Sequence, residues 1–112
     1  RLLDEKAFAR VFRNASRSKD RQFTVLYTHN NMDFPRLGLA ISKRHCRKAT
    51  ERNRVKRLIR ESFRQHQAML SGLDIVVMNQ PATAGASNKT LFNSLEEHWR
   101  RCSKAKRTPR ES

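Results

Sequence analysis

Residues 36–80, RLGLAISKRHCRKATERNRVKRLIRESFRQHQAMLSGLDIVVMNQ, hold the pattern on which the fold turns. The first eight, Arg36 to Lys43, alternate: Leu37, Leu39 and Ile41 point one way, Gly38, Ala40 and Ser42 the other, as in a strand. From about Thr50 to Met69 the period changes. Val55, Leu58, Ile59, Ser62 and Phe63 fall on one side of a helix at about 100° per residue, and Thr50 is placed to cap it. Ser71-Gly72 then breaks the pattern. Asp74 to Gln80 is short, apolar and β-branched, which predicts a buried strand rather than a further helix. The unit is strand, helix, strand.

Working outward, Arg21 to His29 (RQFTVLYTH) reads as a strand, and Asn30, Asn31, Asp33 and Pro35 mark the loop after it. Two strands joined by so short a loop are expected to pair as an antiparallel hairpin. Phe23, Val25 and Tyr27 share one face of the first, Thr24, Leu26 and Thr28 the other; which face meets solvent is left open. Asp4 to about Asn14 predicts a short helix with Phe8, Val11 and Phe12 on one side. At the other end, Ser87 or Asn88 caps a helix to about Cys102, with Leu91, Leu95, Trp99 and Cys102 in line. The expected order is α-β-β-α-β-α, an α+β fold arranged as a two-layer α/β sandwich around a small central sheet. Residues 1–103 are expected to form one domain, and residues 104–112 a basic, disordered tail.

Charge carries the functional signal. Lys and Arg number 25 against 10 acidic residues, a formal +15 at pH 7 and a pI near 11.4. Self-repulsion on that scale calls for a polyanionic partner. The charge is also concentrated: Lys43 to Arg64 holds ten basic residues, opposed only by Glu51 and Glu61. On the helix, Asn53, Arg57, Arg60 and Arg64 fall opposite the apolar side, with Arg52, Arg54 and Lys56 on the flanks. Two carboxylates cannot pair so many cations, so a merely solvated, ion-paired helix does not account for the face. Guanidinium groups suit bidentate phosphate contact and stacking on bases.

Other classes lack their residues. Cys46 and Cys102 form no metal-ligand spacing and no disulfide framework. His29, His45, His66 and His98 are scattered, and Glu96 and Glu97, being adjacent, diverge on a helix too far for acid/base work. No catalytic residue is indicated. No apolar run of roughly 18 residues is present, and neither a membrane nor a small-molecule substrate is expected. Phe8 and Phe12 fit a core by periodicity alone; exposed in a groove, they would stack on unpaired bases.

The segment Glu51-Arg-Asn-Arg-Val-Lys-Arg-Leu-Ile-Arg-Glu-Ser-Phe-Arg64 closely resembles the RNR signature helix of the bacterial ribonuclease P protein family. The helix Phe8-Ala-Arg-Val-Phe12, the strands Arg36–Lys43 and Asp74–Met78, and a final helix reaching Trp99-Arg-Arg101 match in the same order. The resemblance implies a parallel strand pair joined by the signature helix in a left-handed crossover, against the usual rule. It further implies that Lys43, Arg44, Arg52, Asn53, Arg54, Lys56, Arg57, Arg60 and, at the end of the motif, Arg64 bind a catalytic RNA subunit. Phe8, Phe12 and Tyr27 would line a cleft for the single-stranded 5′ leader of precursor tRNA. Catalysis would rest with the RNA and with Mg2+ bound mainly by it, in the cytoplasm. The alternative is a structural RNA-binding protein of ribosomal type with no role in cleavage.

Overall fold

The computed structural model describes residues 2–107. Helix α1 is Glu5–Asn14, followed by strands β1 (Ser16–Lys19), β2 (Phe23–His29) and β3 (Arg36–Ala40). Helices α2 (Ala49–Gln65) and α3 (Gln67–Leu70), strand β4 (Leu73–Asn79) and helix α4 (Asn88–Arg107) complete the order. The α+β fold is as expected, with two additions. β1, of sequence SRSK, buries only Ser18 and has no apolar alternation to announce it. The long helix breaks at His66, whose φ of −119° and ψ of 21° leave the helical region before the single turn of α3.

The sheet order is β1-β2-β4-β3. The expected hairpin between β2 and β3 does not form: β4 lies between them, antiparallel to β2 (Val25 opposite Val77) and parallel to β3 (Leu37 opposite Ile75). The reason is burial. Leu73, Ile75, Val76 and Val77 are fully buried, so β4 presents apolar side chains to both faces and is most stable in the middle of the sheet. β3 is left at an edge, where Leu3 donates its amide to the Leu37 carbonyl at 3.0 Å.

Helices α2 and α4 cover one face. Val55, Leu58, Ile59 and Phe63 meet Phe23, Val25, Leu37, Ile75 and Val77 there, with Leu91, Leu95, Trp99 and Cys102 from α4. The Trp99 indole donates to Ser62 Oγ at 2.8 Å, and its ring meets Phe63 edge-on at 6.1 Å. Ser62 is therefore the polar anchor of an otherwise apolar helix face. Across the sheet, α1 packs Val11 against Leu26 and Val76, with Phe8, Ala40 and Met78 at the margin.

Caps follow the sequence in part. Asp4 accepts from the Ala7 amide at 2.8 Å and starts α1, and Ser87 accepts from the Thr90 amide at 3.1 Å. Thr50 does not cap α2; Lys48 holds that position without a side-chain bond. α4 continues past Cys102 to Arg107, with Ser103 buried, so residues 104–107 are helical rather than tail. The remainder of the expected tail, residues 108–112, lies outside the described residues.

Candidate nucleic-acid interface

On α2 the sequence-derived faces hold: Val55, Leu58, Ile59, Ser62 and Phe63 are buried, while Asn53, Arg57, Arg60 and Arg64 are exposed and Lys56 is half-buried. Among the described residues none of Lys56, Arg57, Arg60 and Arg64 has an acidic partner within 4 Å. The helix thus buries one face and presents uncompensated cations on the other.

The two arginines of the Arg52-Asn53-Arg54 motif are already committed. Arg52 donates from Nη1 to the carbonyls of Cys46 and Arg47, at 3.0 and 2.8 Å, and so ties down the loop before the helix. Arg54 grips Glu51 with two bonds of 2.9 Å and also donates to the Ala86 carbonyl and Asn88 Oδ1, joining α2 to the start of α4. The hydrogen bonds between the two side chains hold the Glu51 carboxyl below, and the Arg54 guanidinium above, their ordinary pKa values. Of that motif, Asn53 alone is exposed and free of such bonds.

Lys43 and Arg44 are exposed in the loop beyond β3, for which the sequence alone shows no anchor. Asn79, buried at the end of β4, supplies it. Its Oδ1 accepts from the Ser42 amide at 2.8 Å and its Nδ2 donates to the Ser42 carbonyl at 3.2 Å. Ser42 Oγ then accepts from the Arg44 amide at 3.0 Å. A buried asparagine closing a strand of valines was the available signal, since a buried amide needs partners.

The aromatic candidates separate. Phe8 and Phe12 stack on α1 with centroids 5.4 Å apart and planes 26° from parallel, and Phe12 is 47% exposed. Phe8 lies against the sheet at Gly38, where an added Cβ would come within 2.5 Å of its ring. Tyr27 is on the other face, packed with Phe23 and Val25 beneath α4. Burial, with Cys102 nearby, raises its phenol pKa. It therefore does not share a cleft with Phe8 and Phe12; the apolar β2 residue buried on their side is Leu26. Strand alternation identified the two faces of β2 but not which of them α1 covers.

A second cluster has no signature in the sequence. Asp74, fully buried at the start of β4, accepts from Arg36 Nε and Nη2 at 2.9 and 2.8 Å, from Asn30 Nδ2 at 3.0 Å and from Arg10 Nη2 at 3.2 Å. Burial alone would raise its pKa, but the Arg36 and Asn30 hydrogen bonds and the Arg36 charge together hold it below the usual 3.8. This carboxylate fastens α1, the 30–35 loop and β3 to the central strand.

These features define a class: an α+β domain built to meet a polyanion, with a cation-faced helix on one side of the sheet and a stacked aromatic pair on the other. The ribonuclease P family model matches residues 1–103. The ribonuclease P protein component of Methylococcus capsulatus is 47% identical over 107 residues, covering 92% of this chain and 84% of that one. That of Nitrosococcus oceani is 44% identical over 99 residues, covering 88% and 83%. Among solved structures, the ribonuclease P protein of Thermotoga maritima superposes with a TM-score of 0.80 at 29% identity, covering 90% of this chain and 96% of the other. That of Staphylococcus aureus gives 0.78 at 31%, covering 86% and 88%. The chain belongs to the ribonuclease P protein family, whose members are tRNA-processing subunits of an endoribonuclease ribonucleoprotein.

Proposed function

We propose that the chain acts by holding two RNAs on opposite faces of one sheet, and that it contributes no catalytic group of its own. The outer face of α2, with Lys56, Arg57, Arg60 and Arg64, binds the catalytic RNA subunit together with Asn53 and the loop cations Lys43 and Arg44. Arg52 and Arg54 support that surface from behind. On the other face Phe8 and Phe12 stack on bases of the single-stranded 5′ leader of precursor tRNA, beside Leu26. Tyr27, on the α4 side, is left out of that cleft.

Hydrolysis then falls to the RNA subunit, using Mg2+ bound mainly by the RNA, and the enzyme works in the cytoplasm on precursor tRNA rather than on any small molecule. In this scheme the cations of α2 neutralise crowded phosphates and lower the magnesium needed to keep the RNA active. The observation that carries the reading is the set of exposed cations on α2 that have no acidic partner among the described residues, across the sheet from a stacked and partly exposed phenylalanine pair.

Cleavage of a 5′-extended precursor tRNA at low magnesium tests it, comparing protein, RNA subunit and the two together. Activity confined to the mixture, yielding the mature 5′ end, is the expected result. Tight RNA binding without any rescue of cleavage would replace it with a purely structural role.

A further inference from the structure

On the flank of α1 away from the aromatic pair lies a recess of about 510 Å3, lined by Asp4, Lys6, Arg10, Arg13, Asn30 and Arg36 among others. At about 100° per residue, Arg10 is some 160° around the helix from Phe8, with Lys6 and Arg13 on the same side as Arg10. The recess is therefore separate from the Phe8–Phe12 surface, and α2 lies on the other face of the sheet. Four cations line it. Against them stand Asp4, whose Oδ1 caps the Ala7 amide, and Asp74, buried behind Arg36 and Arg10.

Its construction is that of an anion site rather than of a solvated charge cluster. Asp74 takes four hydrogen bonds, which saturate a carboxylate. Arg10 gives it one N–H, and about half of its side chain stays exposed. Arg36 is held rigidly by two bonds, its side chain only 14% exposed. Lys6 and Arg13 are exposed, and among the described residues neither has an acid within 4 Å. Asn30, 6% exposed and hydrogen-bonded through its side chain to Phe34 and Asp74, fixes the opposite wall. A guanidinium pair anchored on one buried carboxylate, with two further cations beside it, gives the recess N–H donors and an excess of positive charge, which suit a phosphodiester.

We propose that this recess binds the phosphate backbone of an RNA strand as a second contact on the α1 side, distinct from base stacking at Phe8 and Phe12. The inference rests on the ribonuclease P reading. Two strands could supply the phosphate: the precursor leader, continuing beyond Phe12 across α1, or a segment of the RNA subunit.

The test uses the reconstituted holoenzyme with Lys6→Glu/Arg13→Glu, which leaves the Asp74 network intact, and a series of precursor tRNAs with leaders lengthened one nucleotide at a time. If the leader enters the recess, the affinity gained by the longest leaders falls by about tenfold while the shortest leader binds as before. If the RNA subunit enters it, affinity of the full-length protein for that RNA falls instead, and the leader series keeps its shape. In either case the salt dependence of the weakened interaction becomes shallower, by a slope of roughly one per lost phosphate contact. Unchanged affinity and salt slope in both arms, in a variant of wild-type Tm, would overturn the proposal. Failure of the wild-type protein to support cleavage would instead sink the ribonuclease P reading, and the salt slope for RNA binding would still judge the recess.

Discussion

Arg54 and Arg57 are three positions apart on one helix, yet their environments assign them opposite work. Arg54 spends its donors on Glu51, Ala86 and Asn88, so Arg54→Ala is expected to loosen α2 from α4 and lower Tm by roughly 5 °C. Arg57 is exposed and, among the described residues, without an acidic partner, so Arg57→Glu with Arg60→Glu should leave Tm almost unchanged while RNA-subunit affinity drops steeply. Thermal melts beside filter binding separate the two; equal Tm losses would refute the division. Gly38 poses a similar question on the other face. An alanine there must displace Phe8, because the new Cβ would lie 2.5 Å from its ring. Gly38→Ala should cost on the order of 1–3 kcal/mol of stability and weaken precursor binding more than binding of mature tRNA. Equal losses for the two tRNAs would detach Phe8 from the leader. Helical geometry placed Arg57 outward and Arg54 on the flank, but an RNR motif shows only three polar residues, and tertiary contacts alone show which of them are already bonded.

At the level of elements, the apolar faces of α2 and α4 were legible because helical periodicity reports burial directly, and Val55, Leu58, Ile59, Ser62 and Phe63 are buried as expected. Strand pairing was not. A short loop between β2 and β3 argues for a hairpin, but pairing is decided by which strand has two faces to bury, and that is β4. The edge strand β1 was illegible for the converse reason: its hold on the fold is polar. Ser18 Oγ lies 2.7 Å from His98 Nδ1, and Asp20, just beyond β1, accepts from Ser94 Oγ at 2.6 Å. His98 is fully buried, with Nε2 3.1 Å from Asp20 Oδ1 but outside hydrogen-bond geometry. Burial pushes the imidazole below its ordinary 6.5, outweighing the pull of the Asp20 charge. The unfolded chain therefore takes up this proton at higher pH than the folded one, so the associated stability is present above 6.5 and is lost as pH falls below it. Asp20 is lowered as well: burial would raise it, but the Ser94 and Phe23 hydrogen bonds and the His98 charge prevail. Its contribution is present above 3.8 and fails only at lower pH. Tm should accordingly decline between about pH 7 and pH 5, and His98→Gln should flatten that decline. A wild-type Tm that is flat across the interval would show that His98 does not clamp β1 to α4.

Across the whole molecule, a net charge of +15 is tolerable because it is divided between surfaces separated by an apolar sheet. The α2 face and the α1 face share no side-chain network among the hydrogen bonds and ion pairs of the described residues; they are joined by β3 and β4, whose ends are locked by Asp74–Arg36 at one side and Asn79–Ser42 at the other. With such a frame between them, the two faces should act independently. For Phe8→Ala on one face and Arg57→Glu on the other, free-energy losses in precursor cleavage by the holoenzyme should add within about 0.5 kcal/mol. Asn79→Ala removes one lock without removing any side chain proposed to face RNA. It leaves Ser42, Lys43 and Arg44 without their anchor, and should weaken binding of the RNA subunit while sparing leader discrimination. A double-mutant cycle of Phe8→Ala with Arg57→Glu, measured as kcat/KM for a precursor with a long leader, decides the matter. Additivity means that the protein is a rigid spacer holding two RNAs apart at a set distance. Coupling well beyond 0.5 kcal/mol would mean that one RNA reshapes the sheet or the other RNA, and that the two faces form a single composite site.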